Sequence, residues 1–290
     1  MDSQPLSLRS LPPLGILTAA EASVFEKKLG ERSFNAGEPV VSGEELLLLR
    51  EGEVRLETEG RGGKLSLGKL EKYGLLGEEG FFVSETPILA EAETDASFFA
   101  IDRQSLKNAF RYSRTGAVKF LVVFGRSLAQ KIRAANDLLQ EVSAESEKLP
   151  EKDTRPPAQL TELELHRLQS LFVPCSYEPN SVVFREGDMG EELFVIRKGE
   201  VEILKRGGEE SMTLARLGTG NFFGELAFID RRPRSAHAVA RSQLDVYVLP
   251  AGSLKKAVEY NVGTALYLSS VICKIMARRL NETLTKIGSL

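Results

Sequence analysis

Asn221-Phe-Phe-Gly-Glu-Leu-Ala-Phe-Ile-Asp-Arg-Arg-Pro-Arg-Ser-Ala-His-Ala-Val239 is the stretch on which the reading of this chain turns. Apolar residues run into Gly224-Glu225, one helical turn of Leu-Ala-Phe-Ile follows, and Pro233-Arg234-Ser235 leads into an alternating Ala-Val-Ala segment. The pattern predicts strand, short helix, strand. Gly224 lets the backbone come close to a ligand, and the first turn of the short helix offers amide groups that no helical carbonyl uses. Arg234 supplies a guanidinium and Ser235 a hydroxyl for phosphate oxygens, while Glu225 is an acceptor suited to a sugar hydroxyl. Together they describe a receptor for a ring that holds one phosphate and one sugar. A surface pair between Glu225 and Arg234 would account for two of these residues but not for the spacing of the rest.

At these residues the chain resembles the phosphate-binding cassette of the cyclic nucleotide-binding domain, the module of the catabolite activator protein and of protein kinase A regulatory subunits. The match runs through Phe223, Gly224, Glu225, Leu226 and Ala227 and again through Arg234, Ser235 and Ala236. The resemblance implies that Arg234, Ser235 and the helix-start amides hold the cyclic phosphate, that Glu225 takes the 2′-hydroxyl, and that strand residues such as Ile203 and Leu214 flank the base. It implies cAMP as ligand, with cGMP next. The family's long helix after the roll sends a Thr to the adenine; by position this is Thr283, although the family's neighbouring Ser is Leu284 here. Arg279 lies one turn earlier on the same face and is expected over the base. The alternative for Arg279 and Thr283 is an ordinary solvent-facing position.

At 290 residues and 42% hydrophobic, the chain can build two cores. A net charge of −3 excludes a broadly basic surface for nucleic acid or anionic membrane. Two cysteines, Cys175 and Cys273, and two histidines, His166 and His237, have no metal-ligand spacing. Both thiols read as reduced, partly buried fillers; His166 falls on a helical surface and His237 in the strand after the cassette. No nucleophile and base, phosphate loop or metal set appears, so no catalytic residue, metal or cofactor is expected. The N-terminus has no sustained apolar core, and Leu266 to Met276 is broken by Ser and Lys. A cytoplasmic protein without a membrane segment is the expectation.

An internal duplication organises the chain. Leu17-Thr18 with Glu21 has the capping-box pattern of a helix start, and Leu160-Thr161 with Glu164 repeats it 143 positions on. Ser33-Phe34 answers Ser176-Tyr177 at the same offset, whereas Glu51-Gly52-Glu53-Val54 answers Lys198-Gly199-Glu200-Val201 at 147. The first copy therefore lacks four residues where the second carries the turn-rich Arg185-Glu186-Gly187-Asp188-Met189-Gly190. Leu76-Gly77-Glu78 then answers Phe223-Gly224-Glu225. Each copy reads as short strands broken by Gly-rich turns with helices at both ends. The predicted fold is α+β: two tandem β-roll domains, each flanked by helices and closed by a long C-terminal helix. The expected divisions are an arm without structure of its own at 1–13, a degenerate first domain at 14–147, a charged, proline-rich linker at 148–159, and a binding domain with its long helix at 160–290.

The first copy does not keep the cassette chemistry. Pro87-Ile88-Leu89-Ala90 stands where Pro-Arg-Ser-Ala should, no arginine is expected nearby, and Glu78, Glu79, Glu85 and Glu91 would repel a phosphate. It reads as a structural or dimerising relative that has lost cyclic nucleotide, or as a binder of an uncharged or cationic ligand. Long apolar-periodic helices are predicted from Thr115 to about Glu147 and from Val262 to about Ile287. Their stripes are wide enough for helix pairing, within the chain or in a homodimer, or for packing on each domain's own core. The chain stops at Leu290, where the family's transcription factors continue into a helix-turn-helix, so no DNA partner is expected. The reading as a whole is a cyclic nucleotide receptor that signals by helix rearrangement to an unknown protein partner or a dimer. Two alternatives stand beside it: a regulatory subunit that inhibits a catalytic partner, for which the linker lacks an inhibitor-like Arg-Arg motif, and a scaffold that binds no nucleotide.

Overall fold

The computed structural model describes residues 8–84, 87–145, 163, 166, 168–207 and 210–290. The second capping-box pattern, at Thr161 and Glu164, and the linker at 148–159 lie outside them. The chain folds as two tandem rolls of paired antiparallel sheets with helices, the α+β class expected. In the first roll, β1 (Gly30–Phe34), β7 (Ala96–Asp102), β2 (Glu45–Glu51) and β5 (Leu75–Leu76) make one sheet in the order β1-β7-β2-β5. Strands β4 (Gly63–Leu70), β3 (Val54–Gly60) and β6 (Leu89–Ala92) make the other.

The second roll repeats this order. One sheet is β13 (Phe222–Phe223), β10 (Leu193–Lys198), β15 (Leu244–Leu249) and β8 (Val173–Tyr177). The other is β12 (Glu210–Leu217), β11 (Val201–Gly207), β14 (His237–Ala240) and β9 (Val182–Phe184). The β9 pairing has shrunk in the first roll to a single bridge between Pro39 and Glu91, beside the site of the four-residue difference between the copies. Alternation in β2, β7, β10 and β15 turns Leu47, Leu49, Phe98, Ile196 and Val246 inward, all at most 1% exposed. Such burial stabilises by roughly 1.5–3 kcal/mol per large side chain.

Helix α1 (Ala19–Glu26) opens with the expected capping box: Glu21 N donates to Thr18 Oγ1 at 3.3 Å and Thr18 N to Glu21 Oε2 at 2.7 Å. The arm departs from expectation. Leu8–Ser10 and Pro12–Leu14 are 3₁₀ turns, and Leu8, Leu11, Leu14 and Leu17 are each at most 3% exposed. Their three-residue spacing is the 3₁₀ period, which places all four on one face against the first roll.

Short helices α2 (Arg103–Tyr112) and α5 (Ser253–Tyr260) lead into the long α3 (Arg114–Glu145) and α6 (Val262–Ser289). The pairing left open in the sequence is intramolecular: α3 and α6 pack on each other. Leu121, Phe124, Leu128 and Ile132 join Ile272, Ile275, Met276 and Leu280 in one buried cluster that continues into the first roll. Contact is close enough for the Cys273 thiol to donate to the Leu121 carbonyl at 3.2 Å. The end of α6 reaches β3 of the first roll, where a Cβ on Gly288 would stand 3.2 Å from the Glu59 carbonyl oxygen. A separate cluster, with Phe194, Ile196, Phe223 and Leu244, fills the second roll. Cys273 is buried as expected, whereas Cys175 is exposed on β8.

Candidate functional site

The expected cassette folds as strand, short helix and strand: β13, α4 (Glu225–Asp230) and β14. Gly224 has φ 81°, a left-handed conformation that lets β13 turn directly into α4. A Cβ there would stand 2.7 Å from Arg234 Nη1 and 3.0 Å from the Glu192 carbonyl oxygen, so glycine is also what admits the guanidinium. Within α4 the first intrahelical bond runs from Phe228 N to Gly224 O, 3.2 Å. The amides of the first turn are thereby left without helical acceptors.

Arg234 is 4% exposed and points into the fold. Its Nη1 donates to the carbonyls of Glu192 at 2.8 Å and Gly224 at 3.0 Å, and its Nη2 to Glu192 Oε2 at 2.9 Å. The guanidinium lies 4.4 Å from the ring centre of Phe184, beside Gly190, whose added Cβ would meet Nη2 at 2.7 Å. Its Nε is buried without an acceptor among the described residues. Burial pulls the Arg234 pKa down, while the carboxylates of Glu192 and Glu225 oppose that; the group stays cationic, as arginine does in proteins. Phe223, Leu226, Ala227 and Ala236 are buried around it, and Ser235 is half-buried two residues before β14.

Glu225 is also buried, 3% exposed. Arg279 of α6 forms an ion pair with its carboxylate and donates through Nη2 to the Phe222 carbonyl at 2.7 Å. The solvent-facing alternative for Arg279 and Thr283 is excluded: Thr283 is 8% exposed and the Arg279 side chain 21%. Ile203 and Leu214 are not brought together. Ile203 packs on the interior cluster of the second roll, whereas Leu214 packs on the larger cluster that includes the long helices.

Several neighbours of the cassette carried no signal in the sequence. Glu192 lies just after the Gly-rich turn and takes Arg234. Lys205 of β11 donates to the Ser235 carbonyl at 3.2 Å and pairs with Glu186 at 3.2 Å. Arg133 of α3 donates to Asp230 at 2.8 and 3.2 Å and to the Pro233 carbonyl at 3.1 Å. Glu192 alone could have been suspected, because the repeat aligns it with Glu45 in the copied strand.

In the first roll the equivalent glycine, Gly77, has φ 87°, and its added Cβ would meet the Glu45 carbonyl oxygen at 2.4 Å and Ser42 Cβ at 2.9 Å. Ser42 thus stands where the second roll has a guanidinium. Glu78 and Glu79 are buried, and a cation does reach them, from a helix rather than from the cassette. Lys131 Nζ donates to Glu78 Oε1 at 2.7 Å and to Glu79 Oε2 at 3.2 Å, and Ser127 donates to Glu78 at 2.6 Å. Burial, with Glu79 adding to it, pushes the Glu78 pKa up against the pull of Lys131. At Glu79 burial is again the largest influence and acts upward, but the charge of Lys131 together with hydrogen bonds from Glu78, the backbone and Lys131 brings the pKa below the usual range. An arginine is near as well: Arg103 packs against Gly80 and donates to the Gly43 carbonyl at 2.7 Å. A small void inside this roll, lined by Leu14, Phe25, Leu48, Phe99 and Phe120 among others, is wholly apolar and offers an anion nothing.

With this geometry in place, the comparisons are specific. Residues 174–261 match the model of the cyclic nucleotide-binding domain. This region belongs to that family. The match runs from β8 through α5 and takes in the whole cassette. A cAMP-dependent protein kinase regulatory subunit of Pyricularia oryzae is 32% identical over 97 residues, 33% of this chain and 24% of the relative. A cGMP-dependent protein kinase of Caenorhabditis briggsae is 24% identical over 235 residues, 80% of this chain and 27% of the relative. The chain thus spans about a quarter of the length of these curated relatives. The solved regulatory domain of Toxoplasma gondii PKA with cAMP aligns over 91% of this chain and 92% of its own at 15% identity, with a TM-score of 0.34, too low to say that the two are arranged alike. Among the described residues, no helix is long and apolar enough to cross a membrane, and no group of three or more His, Cys, Asp or Glu is placed to hold a metal ion.

Proposed function

We propose that the second roll is a cytoplasmic cyclic nucleotide receptor, for cAMP first and cGMP next, and that the first roll binds no nucleotide. The observation that carries this reading is Arg234: a buried guanidinium, set between two glycines, with one donor left unpaired. A buried donor without an acceptor costs about 1–3 kcal/mol, which a fold tolerates where a ligand supplies the acceptor. In the bound form Arg234 faces the cyclic phosphate in place of Glu192, Ser235 and the first-turn amides of α4 add hydrogen bonds, and Glu225 turns from Arg279 to the 2′-hydroxyl. Arg279 and Thr283, released with α6, close over the base, with Ile203 and Leu214 on the strand side after rearrangement.

Output follows from the same exchange, because α6 is held to the cassette by the pair that the ligand breaks. Its recipient is a partner protein, and the kinase names of the matched relatives favour a protein kinase. No DNA contact or catalysis is assigned. A homodimer through the long helices would have to use the faces turned away from the α3–α6 contact.

Calorimetric titration with cAMP and with cGMP tests the proposal. Charge-assisted hydrogen bonds contribute roughly 1.5–3 kcal/mol each, so Arg234→Ala should weaken binding about ten- to hundredfold. Wild-type affinity in that variant would refute the site, and a flat titration of the native chain with both nucleotides would leave a scaffold.

A further inference from the structure

Helix α4 is gripped at both ends by arginines from two different long helices. At its start Glu225 is paired with Arg279 of α6. At its end Asp230, whose side chain is 5% exposed, takes two hydrogen bonds from Arg133 of α3. Between these ends α3 lies directly on α4: a Cβ on Gly125 would stand 2.9 Å from Ile229 Cγ2. Helix α3 closes the first roll, so the first roll holds the cassette of the second. Its hold extends to both neighbours of Arg234. Arg133 Nη2 donates to the Pro233 carbonyl at 3.1 Å, and Asp137 pairs at 3.2 Å with Lys205, which itself donates to the Ser235 carbonyl.

The arrangement so held is closed. Both terminal nitrogens of Arg234 are committed to Glu192 and Gly224, and Glu225 is committed to Arg279. A cyclic nucleotide can take the terminal nitrogens or the carboxylate only by displacing those partners. Any contact made only in the closed arrangement lowers apparent affinity by the fraction of molecules it keeps closed. We propose that Arg133 is a positioning residue through which the first roll restrains nucleotide binding in the second, by pinning α4 and the Pro233-Arg234-Ser235 turn in the closed arrangement. The proposal rests on the receptor reading above and assigns the first roll a role that needs no ligand of its own.

Two measurements on the full chain test it: calorimetry with cAMP, and amide hydrogen exchange across residues 225–236 in the ligand-free protein. Arg133→Ala and Asp230→Asn should each tighten cAMP binding about tenfold, a typical coupling between linked sites. Each should also speed exchange in that segment. The double variant Arg133→Asp with Asp230→Arg should return both readouts toward wild type, which a merely structural loss would not do. Unchanged or weaker binding in both single variants overturns the proposal, whatever exchange shows. If the native chain takes up neither cAMP nor cGMP, the receptor reading fails by itself. Exchange then decides the pinning alone, and unchanged protection in Arg133→Ala overturns it.

Discussion

The two cassettes of this chain use one backbone device to different ends. In each, a left-handed glycine is followed by a buried carboxylate, Glu78 or Glu225, and in each the carboxylate is met by a cation from the long helix that closes the roll. Lys131 and Arg279 are each the eighteenth residue of their helices, counting from Arg114 and from Val262. The difference lies on the other side of the glycine, where the second roll has Arg234 and the first has Ser42. The first roll also adds Glu79 and buries its whole cluster, so its lysine serves only the protein's own carboxylates. On the proposed reading, a second cation that no internal carboxylate fully consumes is what distinguishes an anion site from a structural joint made by the glycine and the acid alone.

The largest effect should come from removing the cation in the more deeply buried joint. Lys131→Ala leaves Glu78 and Glu79 without compensation and should cost about 3–5 kcal/mol in denaturant unfolding. Arg279→Ala, which removes a cation whose side chain is 21% exposed, should cost less, about 1–3 kcal/mol. Equal losses would mean that burial does not separate the two joints.

Next come the glycines. Both Gly77→Ala and Gly224→Ala force a side chain into left-handed backbone, at roughly 1–2 kcal/mol. Gly77→Ala should cost more, because its Cβ meets the backbone oxygen of Glu45 at 2.4 Å, whereas at Gly224 it meets the end of the Arg234 side chain at 2.7 Å. Gly224→Ala alone should also weaken nucleotide binding. Thermal unfolding and calorimetry on the two variants would break the comparison if the order of stabilities reversed.

The last effect is one of pH. Glu78 has a folded pKa above its ordinary value of 4.5, so the native state holds this proton more tightly than the unfolded chain. Its contribution to stability is complete below 4.5 and is lost as pH rises through the raised value. Glu78→Gln should flatten the decline of stability on the alkaline side by at most about 1.4 kcal/mol per pH unit. Unfolding curves from pH 5 to 9 that keep the wild-type slope would remove Glu78 from the account.

Local and repeated features were legible in the sequence. The capping box at Thr18 and Glu21, the duplication into two rolls, the strand, short helix and strand of the cassette, the start of α3 to within one residue and the extent of α6 to within two all follow from short-range spacing. The arm was also readable, through its leucines at three-residue intervals, but a 3₁₀ period is easily taken for an irregular segment. Sequence by itself determined that the chain holds two rolls and that only the second has an arginine in its cassette. Tertiary structure decided which cations meet which acids: Arg279 on Glu225, Lys131 on Glu78 and Glu79, Arg133 on Asp230. Periodicity marks the apolar face of a helix but not the partner that covers it. Those pairings exist because each long helix folds back onto its own roll, and the Arg133–Asp230 pair because α3 also reaches the cassette of the second roll.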